Sequence, residues 1–524
     1  MDKKLKKTFI WVTVILMVFI LVSQYKLSFD VNKEPPSEKW GKGKKITNAE
    51  VKSPPRFYKN SEGYLILLNN SNKLTFLQID NLGNLINSKE ISIDGSMINN
   101  LSFIKKQQGY FISWDCIKLN ENAENYVEVD NRLNKINEGK INGVNESFQV
   151  NEKILLRAYD KKIEIVDFIK DTNKFIEVNG ANLLRAVEVA KDKYMLMFIT
   201  KDGYIKSCYY KNGEISDLRN LCALNLPLGQ GILNTALGFD HKYAYLIMFK
   251  KTKKGFSTER YSFELSNLEK KSMNIVNLQG IDEVKDIQFI STENGKAKFL
   301  GQVSRYFGIK KQYEDLVEFY LKDNEISVGN FVSKSAKISS NAAINEDTAI
   351  YCDYVPESES YDVYFTSTKE DFKKENNNAK KEEKIISAQD TAQGFMYALI
   401  YVIILGLKWI LPAVMVMSII SFLEYRLQEK SKKILFVTVS IMTFLIKCEA
   451  IYITNYKNFK FYLPKQLSSV LLGFFICFII SLIFYVFGYL NYKDDLDAMP
   501  IAKFMPYLIL DSVFTLMVFA PYML

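Results

Sequence analysis

Five apolar stretches frame one long polar stretch, and that alternation restricts the chain to a membrane protein with a single large water-facing domain. In the 524-residue sequence a lysine-rich start (Lys3, Lys4, Lys6, Lys7) runs into the apolar segment Thr8–Gln24. About 350 mostly polar residues follow, and a second apolar block extends from near Gly394 to Leu524. A spanning helix needs ~17–25 residues, so the first segment is at the short end. It has the basic and apolar regions of a secretory signal but no small-x-small cleavage site. Cutting after Ser23 or Ser28 leaves Leu21 or Lys26 at the third residue back. The segment therefore reads as a retained anchor.

The C-terminal block divides at its charges into spans of about 395–422, 434–452, 467–490 and 504–524. Short loops rich in Lys and Arg mark the cytoplasmic side of a membrane. The N-terminal lysines and the loop carrying Arg426, Lys430, Lys432 and Lys433 agree on that side. Lys457, Lys460 and Lys465 dissent mildly, and the loop at 491–503 is nearly neutral. The expected order is a cytoplasmic tail (1–7), an anchor (8–24), an extracytoplasmic domain (40–368), a charged linker (369–393) and a four-span helical domain (394–524). The C-terminus then lies outside. The run at 369–384, KEDFKKENNNAKKEEK, has little apolar surface to bury and reads as a solvated stalk.

The polar region carries a weak repeat. A short apolar strand, a turn and a second strand recur, the second strands starting at Tyr64, Tyr110, Ile154, Tyr194, Tyr243, Ala297 and Ile350, 40 to 54 residues apart. Third strands in hairpin register follow at 74–79, 126–129, 163–168, 204–210, 260–265, 315–321 and 361–365. Asp202-Gly203 and Asn212-Gly213 are dipeptides that tight hairpins favour, because they tolerate positive φ. Seven units of four short strands at this period describe a seven-bladed β-propeller. A blade that is apolar on both faces is unstable alone and gains stability by radial stacking. Residues near Ile46–Val51 are placed to supply the outer strand of the last blade and close the ring. A pair of β-sandwiches is the alternative fold. No Gly-His to Trp-Asp pattern, paired-glycine kelch motif or other familiar blade signature occurs, so no family is recognised.

Chemistry is sparse. A net charge of +9 at pH 7 is spread through mixed Lys/Glu segments, not gathered in a basic stripe with aromatic platforms, which argues against nucleic-acid binding. His241 is the sole histidine and falls at a predicted turn, so a multi-histidine metal site is excluded. No Gly-x-Ser-x-Gly elbow, calcium loop or phosphate-binding glycine loop is present. The expectation is a protein that is not an enzyme and has no cofactor. Of the outer cysteines, Cys208 and Cys222 are placed to bridge within one blade. A propeller of this size needs no staple, so buried free thiols are expected there, and for Cys116 and Cys352 as well.

Four ionisable residues interrupt the C-terminal apolar runs: Lys408, Lys447, Glu449 and Asp511. A charge at mid-helix costs ~2.5–3.5 kcal/mol on insertion scales, so these are the candidate intramembrane polar residues. Lys408 and Asp511 are expected to meet inside the bundle, with Lys447 and Glu449 snorkelling toward the interface. Pro412 marks a kink. Richness in Lys, Asn, Ile, Tyr and Phe points to a bacterial source. The expected function is an envelope protein whose extracytoplasmic domain binds or scaffolds a protein, peptide or glycan. The alternative is an accessory subunit of a transport complex, with other membrane proteins as partners.

Overall fold

Second strands such as Tyr64–Asn70 and Lys193–Thr200 are largely apolar on both faces, and burying both faces requires a sheet on either side. The computed structural model describes the chain apart from residues 1–2, 71, 94–98, 119–120, 225–228, 279–280, 282, 308–310, 336, 456–462, 465–466, 494–498 and 524. Seven antiparallel sheets, each built on four strands, form the seven blades of a β-propeller. They occupy residues 56–92, 99–142, 146–177, 181–223, 231–275, 284–331 and, for blade 7, 339–367 with 44–49. The second strands begin at Tyr64, Gly109, Ile154, Lys193, Tyr243, Lys296 and Thr348, within two residues of the positions the repeat indicates.

Blade 7 is completed from the other end of the domain. Lys44–Ala49 pairs antiparallel with Ser360–Ser367, from Lys44 opposite Phe365 to Ala49 opposite Tyr361. The ring closes as the sequence suggests. One strand was not anticipated: in blade 4, Glu214–Ile215 is so short that Arg219–Ala223 also pairs with the third strand.

Burial runs in a gradient within each blade. Tyr64–Asn70 is buried almost throughout, whereas the fourth strand of the same blade, Leu85–Ser92, is mostly exposed and polar. The apolar cores lie between blades, not within them. Leu67, Phe76, Phe103 and Ile112 join blades 1 and 2. Leu156, Ile165, Leu196 and Phe198 join blades 3 and 4. Ile66, Ile79, Ile350 and Phe365 join blades 7 and 1. The contact between blades 2 and 3 is the slimmest, with Ile104, Phe111, Leu155 and Val166 as its buried apolar residues.

Two glycines are fixed by close approach. A Cβ at Gly63 (φ 149°) would stand 2.1 Å from the Ile79 carbonyl oxygen, and one at Gly109 (φ 141°) 1.9 Å from that of Val129. This accounts for the Gly-Tyr pair that opens two of the second strands.

The described residues fall into two units, a propeller unit (Pro35–Arg305 and Tyr313–Asn377) and a helical unit (Met1–Glu34, Tyr306–Gln312 and Asn378–Leu524). The segment read as a stalk departs from expectation. Residues Glu370–Asn376 form helix α2, and its Phe372 is fully buried against Phe365, at a ring separation of 5.4 Å. Lys373 also donates to the Glu38 carbonyl at 3.2 Å, so ring packing and hydrogen bonds together dock a charged segment onto the propeller.

The helical unit contains α1 (Lys3–Asn32), α3 (Lys381–Tyr401), α4 (Leu407–Phe422), α5 (Glu429–Cys448), α6 (Val470–Lys493) and α7 (Pro500–Phe519). A π-helical turn, Val402–Gly406, joins α3 to α4, so the irregular backbone lies ahead of Pro412. By length and composition five helical stretches suffice to cross a membrane. Both α1 and α3 extend well beyond the apolar limits read from sequence, because the helix continues through polar turns. α1 belongs to this unit: the Gln24 side-chain amide donates to the Val518 carbonyl at 3.0 Å, and Tyr522 donates to Gln24 Oε1 at 2.7 Å. Lys457, Lys460 and Lys465 lie outside the described residues.

Candidate functional site

Two places concentrate polar groups where water is scarce, one in each unit. In the helical unit, helical spacing puts Phe436, Ser440, Thr443 and Lys447 on one buried face of α5. α6 contributes Ser481 and Tyr485, and α7 contributes Asp511, Ser512 and Thr515, all buried. The Lys447 ammonium donates to both Asp511 oxygens at 2.8 and 3.0 Å, to Ser481 Oγ at 2.5 Å and to Thr515 Oγ1 at 3.0 Å. Ser481 donates to Asp511 Oδ1 at 2.9 Å and Tyr485 to Oδ2 at 3.2 Å. Both charges are fully enclosed and heavily hydrogen-bonded, which is the condition under which a buried ion pair is tolerable.

The pairing differs from expectation. Lys408 is exposed on α4, beside the buried Trp409 whose indole donates to Ser512 Oγ at 2.9 Å, and it takes no part in the cluster. Lys447 holds Asp511 in its place and does not snorkel. Glu449 is exposed at the start of the π-helical turn Glu449–Asn455. A helix's rotation about its axis decides which charge faces inward, and depth along a span does not report it. The signal available in the sequence was the small and polar stripe Ser440, Thr443, Lys447.

In the propeller unit, the innermost strands surround a cavity of about 600 Å³. The repeat places one residue of each inner strand on its wall: Arg56, Ser102, Ser147, Arg185, Thr235, Gln288 and Ala342. Register breaks recur near these positions, between Asn99 and Ser102, Asn182 and Arg185, Lys285 and Gln288, and Ser340 and Ala343. Asn100, Leu183, Asp286 and Asn341 have positive φ in the same bulges. Bulges re-aim side chains, and here they turn polar groups toward the cavity.

Those side chains bind neighbouring blades to one another. Arg56 Nε donates to the Leu101 carbonyl at 2.8 Å, Arg185 Nε to Thr235 at 2.9 Å and Gln288 Nε2 to Ala342 at 2.7 Å. Arg185 also pairs with Glu146 at 2.9 Å and lies over the Phe148 ring. Arg56 is half-buried, and among the described residues no carboxylate pairs with it. Ser102 Oγ, Thr235 Oγ1 and Asn234 Oδ1 are buried without a hydrogen-bond partner among the described residues. None of the seven wall residues was singled out from the sequence as a site residue. The faint signal is the residue ahead of a small or aromatic one in each first strand.

Burial raises several carboxyls in the propeller, Asp286 among them. Asp115, which accepts from Ser147 Oγ at 2.5 Å and Asn100 Nδ2 at 2.8 Å, is pushed up to about 7. Asp353, accepting from Ser339 Oγ at 2.7 Å, is also raised to about 7, and Asp315 to about 6. Their partners are serine and asparagine donors and, for Asp315, the Arg305 guanidinium at 3.8 Å.

His241 is exposed at a turn, with Nε2 3.5 Å from Asp323. Asp240, His241 and Asp323 form the one grouping of possible metal ligands among the described residues. Asp240 is already committed there. Its Oδ1 accepts from Lys242 N and Tyr243 N at 2.6 Å, and its Oδ2 from Tyr245 at 2.5 Å and Asp323 N at 2.9 Å. That donor set shapes a turn. Cys208, Cys222 and Cys352 are buried free thiols, while the Cys116 side chain lies outside the described residues.

No protein-family model and no curated protein matches the chain. Solved structures with similar backbones include BBS1N in complex with ARL6DN, at 10% identity and a TM-score of 0.39, covering 63% of this chain and 98% of that one. U3-55K is similar at 6% identity and a TM-score of 0.40, covering 62% and 98%. The extracellular domain of a putative one component system from B. thetaiotaomicron is similar at 10% identity and a TM-score of 0.38, covering 62% and 40%. Likeness at this level bears on fold alone, and the propeller assignment rests on the strand pairing described above.

Proposed function

We propose that the chain is a multi-pass protein of a bacterial cell membrane whose propeller, on the extracytoplasmic side, is a non-catalytic binding or scaffolding module for a protein, peptide or glycan. The carrying observation is the union in one chain of a closed seven-bladed ring with five helices apolar enough to span a bilayer. A ring of this kind gathers loops from every blade around one axis, although fold alone does not establish binding. The cavity wall favours binding over catalysis, because its charged residues are Arg56, Arg185 and Glu188, with neither a carboxylate pair nor a histidine. The lysines in the first turns of α1 and the basic residues at the start of α5 support this sidedness.

The test is site-specific photo-crosslinking of the full-length protein in native membranes. Crosslinkers replace the exposed propeller residues Leu233 and Ile338 or the exposed helical residues Ile403 and Met415. A partner captured from the propeller positions supports the binding module. Capture only from helical positions, by an integral permease or ATPase, supports the second reading, a transport-complex subunit. The enclosed Lys447–Asp511 pair favours that second reading, since ionisable groups inside spans commonly mark ion or substrate paths.

A further inference from the structure

We infer that the central cavity of the propeller binds a small, hydroxyl-bearing organic anion. The inference rests on the reading of the propeller as a binding module and names a solute for it, distinct from any macromolecule at the rim. The volume, about 600 Å³, suits a ligand of sugar-acid size, since small-molecule pockets span ~300–1,000 Å³.

Charge defines the class. Arg56 uses Nε to hold the Leu101 carbonyl, which leaves its two terminal nitrogens without a partner among the described residues at the cavity wall. A guanidinium in that state presents a planar fork that matches a carboxylate or phosphate. Arg185, three blades round the ring, is neutralised by Glu146 and held over Phe148, so it shapes the wall without competing for the anion.

Hydroxyl recognition is the second observation. Ser102 lies beside Arg56's acceptor, and Thr235 supplies the carbonyl that holds Arg185. Ser102 is 1% and Thr235 3% exposed, yet among the described residues neither hydroxyl has a partner, and the buried Asn234 Oδ1 has none either. A buried polar group left unpaired costs about 1–3 kcal/mol, so turning either hydroxyl toward a solute in the cavity recovers that penalty. Phe148, Phe239 and Phe289 supply the apolar faces against which a sugar-like ring packs.

The test uses full-length protein purified in nanodiscs and isothermal titration with three probes: D-glucuronate, D-glucose 6-phosphate and neutral D-glucose. The inference expects at least one anion to bind and D-glucose to bind at least ten-fold more weakly. Preference between the two anions distinguishes a carboxylate from a phosphate. Arg56→Gln should weaken the anion by ten-fold or more, while Ser102→Ala weakens it about three- to ten-fold with the charge intact, consistent with the cost of one lost hydrogen bond. The glutamine variant is chosen because Gln288 already makes the same bond to the next blade, so the ring is preserved. Failure of both anions to bind wild type at 10 mM overturns the inference, as does equal binding of D-glucose or an unchanged affinity in Arg56→Gln. No macromolecular partner is present in this titration, so its failure leaves the crosslinking result standing, and the reverse also holds.

Discussion

Removing Arg157 should open the ring between blades 2 and 3. That junction has the slimmest apolar core, and a buried ionic brace takes its place. Arg157 of blade 3 donates to Glu124 of blade 2 through Nε at 2.6 Å and Nη2 at 3.3 Å, and through Nη1 to Glu164 at 3.3 Å. Glu164 keeps bonds from Tyr159 at 2.9 Å and Asn173 at 2.9 Å when the arginine is lost. Glu124, fully buried, depends on Arg157 alone. Arg157→Met therefore strands one carboxylate in an apolar setting, and breaking a buried pair from one side costs about 3–5 kcal/mol. Glu124→Gln in the same background removes the stranded charge and should return more than half of that loss. Hydrogen–deuterium exchange of full-length protein at pH 7, read on peptides spanning residues 121–129 and 154–158, gives the local opening free energy. The expected acceleration is about 10²–10⁴-fold for Arg157→Met and much less for the double variant. An acceleration under ten-fold, or strictly additive effects, would refute the claim that this brace holds the junction.

Three further outcomes follow from the geometry. Because burial raises Asp115 and Asp353 to about 7 and Asp315 to about 6, folded carboxyls hold protons that unfolded ones, near 3.9, release. Their stabilisation is complete below that unfolded value and is lost as pH rises through about 6–7, so the melting temperature should fall from pH 5 to pH 8, and fall less in Asp353→Asn. A melting temperature that rises over that interval counts against the assignment. Asn48→Ala in the closing strand removes the Asn48–Asp362 hydrogen bond of 2.9 Å. It should destabilise the closing strand by about 1.5–3 kcal/mol, the range for a hydrogen bond to a charged group, and expose blade 7 to limited proteolysis, and an unchanged digestion pattern would contradict ring closure. In the helical unit, Asp511→Asn leaves Lys447 enclosed without its counter-charge and should lower thermal stability in detergent, whereas Lys408→Gln should not. Equal effects of the two would remove the special standing of the Lys447 pair.

The blades were readable because their second strands are buried on both faces. Residues 64–68, YLILL, fully buried along their length, are an unbroken apolar run, and such runs separated by turns need no partner information to be seen. The fourth strands were harder. Residues 135–142 and 172–177 are largely exposed and polar, so nothing in their composition separates them from loops. The wall of the cavity was invisible for a different reason. Arg56, Ser102 and Thr235 are brought together from sites more than forty residues apart by radial symmetry and by bulges whose positive φ falls on Asn, Asp and Leu, not on a diagnostic glycine. The Lys447–Asp511 pair failed on helix phase. Trp409 faces inward beside Lys408, so one residue of rotation separates the pairing expected from the one observed.

Closure by Lys44–Ala49 also has a mechanical meaning. The chain enters the ring and leaves it through blade 7, and the entering and leaving segments run side by side. Gly41 N donates to the Ser367 carbonyl at 3.1 Å, Thr366 Oγ1 to the Gly41 carbonyl at 2.7 Å and Lys42 N to Asn377 Oδ1 at 2.9 Å. A pull strong enough to part residues 44–49 from 360–367 would release the outer strand and open the circle between its first and last blades.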